Sequence, residues 1–151
     1  MALSKVGSNQ IDSAASLTVS GNVSADGGTI KLDGNYPTGS NNVALGDAAG
    51  DAIASGGQLN TFVGSNAGSA VTTSDNNTAV GAYAFDAGTG ASNTAIGSGS
   101  LGSSSNTGDN NTAVGFDALN SNTTGSGNNA FGYSALFSNT TGSNNTTVGA
   151  N

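Results

Sequence analysis

The chain has 151 residues, 34% of them apolar and 5% aromatic, and a net charge of −7 from nine Asp against two Lys. Gly, Asn, Ser and Thr fill 85 positions, while Cys, His, Trp, Arg and Glu are absent. This excludes disulfides, an ordinary structural zinc site, a cysteine nucleophile and a histidine proton shuttle, and the acidic balance repels a phosphate backbone, so nucleic acid is not an expected partner.

Apolar residues are too few to fill a conventional core of this size. Disorder is not indicated either, because charge is low and Pro37 is the only proline. The opening Met1-Ala2-Leu3-Ser4-Lys5-Val6 lacks the apolar run of a signal peptide, and no window is long enough to span a bilayer. A soluble chain made in a cytosol is expected, with no membrane insertion.

Residues 1–40 are non-repetitive and carry both lysines. Alternation in 16–20 and 29–33, around a turn-like 21–28, predicts two short strands before a hinge at 35–39. This segment is read as an N-terminal module that either covers the first coil of a repeat array beginning near residue 41 or attaches the chain to a larger assembly. Leu3, Val6 and Ile11 are its isolated apolar anchors, with Lys5 as a nearby cation.

From residue 41 onward a pentapeptide ending in glycine recurs seven times, at Gly46, Gly64, Gly81, Gly97, Gly115, Gly132 and Gly149. Spacings of 18, 17, 16, 18, 17 and 17 residues hold a steady period. Each unit begins with Asn, alternates small and large residues as in Asn77-Thr78-Ala79-Val80-Gly81, and reaches a second apolar station such as Ala84-Phe85 or Ala118-Leu119. This reads as a strand of about five residues, a bend, a second short strand and a polar return. No Asn-Gly pair occurs, and the Asp-Gly pairs at 26–27 and 33–34 precede the repeats, so the array lacks the hairpin signal. Equal spacing suits stacked coils with ladders of like residues. The predicted fold is therefore all-β, a parallel β-solenoid (β-roll) of about seven coils of 16–18 residues over 41–151.

Alternation gives each strand two faces. One carries Leu45, Val63, Val80, Ile96, Val114, Phe131 and Val148; the other is mostly alanine. Placing the aliphatic row inside a narrow coil leaves alanines for contact with another chain, and the reverse assignment is open. With the aliphatic row inside, Val80→Asp or Val114→Asp is expected to disrupt packing far more than Asn106→Asp in a return. A lone coil buries only two or three apolar side chains against a backbone ordering cost of ~1 kcal/mol or more per residue, which points to self-association, most simply a homotrimer.

The unit Asn-Thr-Ala-Val-Gly-x-x-Ala-Leu, at 111–119, is similar to head repeats of trimeric autotransporter adhesins, and resembles more closely repeats of bacteriophage tail-fibre and related virion appendage proteins. Residues 1–5, 17–23 and 28–34 also look like the start of such fibres. The resemblance implies a homotrimeric left-handed β-roll in a virion, made in the host cytoplasm, holding or presenting a host-binding tip. Residues 1–35 would then contact tail or capsid-vertex proteins, and the host receptor would be met through parts outside this chain. The unit of adhesin heads is shorter, and the missing signal peptide and anchor favour the virion part over an autotransporter.

No enzyme, cofactor or metal is expected. Asp75, Asp86, Asp109 and Asp117 stand singly in or beside turns, where Asp is ordinarily a turn former, and the calcium-binding β-roll nonapeptide is missing. An ice-binding solenoid is a further alternative, because Thr61, Thr78, Thr94, Thr112 and Thr146 occupy equivalent sites, interrupted by Val43 and Asn129. Tyr83, Phe116 and Tyr133 follow ruler glycines and could contact a receptor or another chain.

Overall fold

The computed structural model describes residues 41–151 apart from 54, 55 and 104. The two strands expected in 16–20 and 29–33, and Leu3, Lys5, Val6 and Ile11, lie outside the described residues. Seven three-residue strands follow one another: β1 (Val43–Leu45), β2 (Thr61–Val63), β3 (Thr78–Val80), β4 (Thr94–Ile96), β5 (Thr112–Val114), β6 (Asn129–Phe131) and β7 (Thr146–Val148). They form one parallel sheet in chain order. Registers are strictly in phase, so Thr78 faces Thr94 and Thr94 faces Thr112. The described residues thus form an all-β parallel solenoid of about six turns, stacked over roughly 29 Å at the usual interstrand spacing of about 4.8 Å.

The strands are shorter than the five residues expected because each stops at a ruler glycine. Gly115 shows why glycine is needed there. Its φ is +138°, and a Cβ would lie 2.2 Å from the carbonyl oxygen of Gly132 in the next coil. A side chain would therefore push the coils apart.

The expected second strand does not form. Its place is taken by a hydrogen-bonded bend in which the second and fourth residues after the glycine have positive φ, as at Asp117 (53°) and Leu119 (51°). Within the bend the Ala118 N–H donates to the Gly115 carbonyl at 3.4 Å. The backbone still pairs between coils: the Asp117 N–H donates to Ser98 O and the Leu119 N–H to Ala135 O. The sequence reads as strand because Leu and Phe are poor left-handed residues; stacking on the neighbouring coils holds them there.

The interior also differs from the preferred reading. Phe62, Ala79, Ala95, Ala113 and Ala130 are buried, whereas Leu45, Val80, Ile96, Phe131 and Val148 are exposed and Val63 and Val114 half-buried. The coil is narrow, and the bend's Phe85, Leu101 and Leu119 already fill it, so only alanine fits opposite. Volumes compensate between columns. Where the strand brings in Phe62, the bend position in the same coil is Gly68, at which a Cβ would lie 2.6 Å from the Phe62 ring. Where the bend brings in Phe85, Gly88 makes room; a Cβ there would be 2.1 Å from that ring.

Each Asn that opens a repeat is preceded by a residue with positive φ, among them Asn76 (61°), Asn110 (58°) and Gly127 (70°), but also Leu59 (57°). Leu59 is 56% exposed. Asn tolerates this conformation better than Leu, so Leu59→Asn is expected to raise stability by about 0.5–1 kcal/mol. Chemical denaturation of the two proteins side by side measures it; a loss of stability would contradict this account of the coil corner.

Candidate functional site

Among the described residues the most regular polar feature is a buried column of asparagines, one per coil: Asn42, Asn60, Asn77, Asn93, Asn111 and Asn128, each exposed by 1% or less. The Oδ1 of each accepts the backbone N–H of the Asn one coil on; Asn111 Oδ1 takes the Asn128 N–H at 2.9 Å. The Nδ2 of each donates to a carbonyl in the return that closes its own coil, as from Asn111 to Gly125 O at 2.9 Å. One side chain therefore joins coil to coil and strand to return. Aspartate has no amide donor for the second bond, and buried it would bring an uncompensated charge.

A second, shorter asparagine column runs through the returns. Asn122 Nδ2 donates to Gly125 O and Asn139 Nδ2 to Gly142 O, both at 2.9 Å. Asn106, on the same column, is fully buried and its Nδ2 has no partner. Its return reaches Thr107-Gly108 one residue sooner than Asn122 reaches Thr124-Gly125, and the Gly108 N–H instead donates to Asn106 Oδ1 at 2.9 Å.

Each strand then alternates. Asn and Ala point inward, while Thr and the large aliphatic residue form the outer face. On it the row Leu45, Val63, Val80, Ile96, Val114, Phe131 and Val148 runs without interruption through all seven strands, in direct register. Beside it Thr61, Thr78, Thr94 and Thr112 are half-buried and Thr146 is exposed. Phe116 and Tyr133, at equivalent positions one coil apart, stack with ring centroids 5.5 Å apart and planes 8° from parallel.

The carboxylates join coils too. Asp75 accepts the Gln58 N–H at 2.7 Å and Asp109 the Ala91 N–H at 2.8 Å. No group of three or more Asp that could hold a metal ion occurs among the described residues, and no helix there is long and apolar enough to cross a membrane. Comparison with known protein families, curated proteins and solved structures returns no match.

Asn at the head of every repeat was the available signal for the column, since any polar residue could stand at a solvated turn. The ruler glycines sit at the strand ends, between the aliphatic row and the bend. Asn106, expected in a solvated return, is more buried than Val80, so the expected order of the charge substitutions inverts for the isolated chain. Asn106→Asp and Asn111→Asp each bury a carboxylate and should cost about 3 kcal/mol, whereas Val80→Asp, at a site 37% exposed, should cost well under half that. The Asn111→Asp penalty should shrink as the pH falls through the raised pKa of the buried acid and be smallest below the ordinary carboxylate value of about 4, because the neutral acid regains a donor for Gly125 O. Melting curves at neutral and acidic pH measure both; equal penalties at Asn111 and Val80 would contradict the interior as described.

Proposed function

We propose that this chain is a structural part of a homotrimeric phage fibre, with residues 1–35 attached to tail or capsid-vertex proteins of the virion and the solenoid projecting toward the host for adhesion. The observation that carries the reading is the aliphatic row on the outer face, with Leu45 44%, Ile96 40%, Phe131 40% and Val148 80% exposed. A stripe of large apolar residues along a whole solenoid marks a surface for association. Three copies round an axis would cover it and leave the polar returns in water. The NTAVG-type repeats and their likeness to fibre repeats supply the virion setting; a head fragment of a bacterial trimeric adhesin is the alternative with the same assembly.

The threonine row favours a second reading, ice binding. It lies in register beside the aliphatic row, with Thr78 opposite Thr94 and Thr94 opposite Thr112. Thermal hysteresis of the purified protein separates the two, since a fibre part is expected to show none.

Light scattering of the full chain should give three times the 14.3 kDa chain mass. The double substitution Val80→Asp and Ile96→Asp should lower it to one chain mass with the fold retained, because both sites lie on the outer face. A folded wild-type monomer at micromolar concentration would overturn the assembly. Deleting residues 2–12 should leave the oligomer intact and abolish incorporation into particles; normal incorporation would overturn the N-terminal attachment.

A further inference from the structure

The bends that follow the ruler glycines repeat closely inside the coil and vary outside it. In the coil headed by Asn93 the two outward positions after the glycine are Ser98 and Gly99. One coil on, the same positions hold Phe116 and Asp117, and one coil back the second holds Tyr83. Phe116 is 48% exposed and Tyr83 54%. In the column of Phe116 the two preceding coils thus carry only Ala82 and Ser98, which leaves a notch beside the ring, while Tyr83 stands in the neighbouring column with Gly99 and Asp117.

Ring geometry gives this notch a direction. Phe116 and Tyr133 occupy equivalent positions in adjacent coils and lie nearly parallel, so their stack runs along the solenoid. Tyr133 covers one face of Phe116, and the other looks toward the level of Ser98. Between the levels of Ala82 and Phe116 lie two coil spacings, about 10 Å, with only Ser98 between them in that column. The C–H face of a saturated ring rests on an aromatic face at roughly 4 Å, within that spacing.

The edge of the notch is polar. Asp117 lies so close to Gly99 that a Cβ on that glycine would be 2.1 Å from Asp117 Oδ1; glycine alone lets the carboxylate sit there. Asn120 Nδ2 ties the same corner, donating to Gly99 O at 2.8 Å and to Asp117 Oδ1 at 3.4 Å. An ionised carboxylate has about four acceptor positions, so further donors can be taken up.

We propose that Ala82, Ser98, Phe116 and Asp117, with Gly99 admitting the carboxylate, form a carbohydrate subsite. It takes one pyranose ring, the C–H face lying on Phe116 and adjacent hydroxyls donating to the Asp117 carboxylate. A flat aromatic face beside an acceptor suits a ligand with one apolar face and a rim of O–H donors. Phosphate-bearing ligands are disfavoured by the carboxylate and by the net charge of −7. The biological setting, host-surface glycan recognition, rests on the adhesion reading above, whereas the subsite itself does not. It puts receptor contact within this chain, at one of the aromatics the sequence offered for it, and not in the parts outside the chain that the family resemblance implied.

The test is saturation-transfer NMR on the full chain with the methyl pyranosides of glucose, galactose, mannose and N-acetylglucosamine at millimolar concentration. At least one should receive saturation on the protons of a single ring face. Phe116→Ala should weaken that ligand's binding tenfold or more. Ser98→Phe, which extends the aromatic stack into the notch, should abolish it with the melting temperature kept. No transfer to any of the four from wild-type protein, or transfer undiminished in both variants, would overturn the subsite. So would loss of oligomer mass in Phe116→Ala without sugar binding in the wild type, which would assign the rings to a contact between chains. A monomer that binds sugar retains the subsite and removes the trimer; a trimer that binds none does the reverse.

Discussion

The buried asparagine column is the constraint on which the rest of this solenoid depends. A coil of about 17 residues with three-residue strands has too little sheet to hold its own return, and its small apolar interior contributes modestly. The primary amide supplies what is lacking, because it accepts and donates at once in a dry interior where leaving either group unpaired is costly. Asn77 illustrates both bonds: Oδ1 takes the Asn93 N–H at 2.9 Å and Nδ2 reaches Gly90 O at 3.1 Å. Glutamine would overshoot, aspartate lacks the donor, and serine cannot span the coil.

From this column the other positions follow. Once Asn faces inward, strand alternation puts Thr outward, the next residue inward and the large aliphatic residue outward. The coil must then close with the glycine, whose Cα meets the carbonyl of the next ruler glycine, and with a bend that brings Leu or Phe back into the interior. The stack is thereby left with an apolar stripe along its outer face, the surface that the proposed association would cover.

Much of this was legible in the sequence. The period, the lack of Asn-Gly turns and the like-over-like stations gave the parallel stack, because in-phase repetition leaves few other ways to pair strands. The direction of the alternation was not legible. A hydrophobicity argument places Val80 and Val114 inside and Ala79 and Ala113 outside, and it fails because Phe85, Leu101 and Leu119 occupy the interior from the other side. Those residues looked like a second strand; only stacking against neighbouring coils reveals that Leu101 and Leu119 sit at positive φ. Nor does a single sequence separate a buried Asn106 from the exposed Asn110 four residues on.

The asparagine side-chain amides themselves offer the most direct measurement. In isotopically labelled protein, exchange of the Nδ2 protons with solvent can be followed residue by residue. The account predicts that those of Asn77, Asn93 and Asn111 exchange only through opening of the stack, orders of magnitude more slowly than those of the exposed neighbours Asn76 and Asn110. Equal exchange rates in the two sets would mean that the column is solvated, and the interior described here would be wrong.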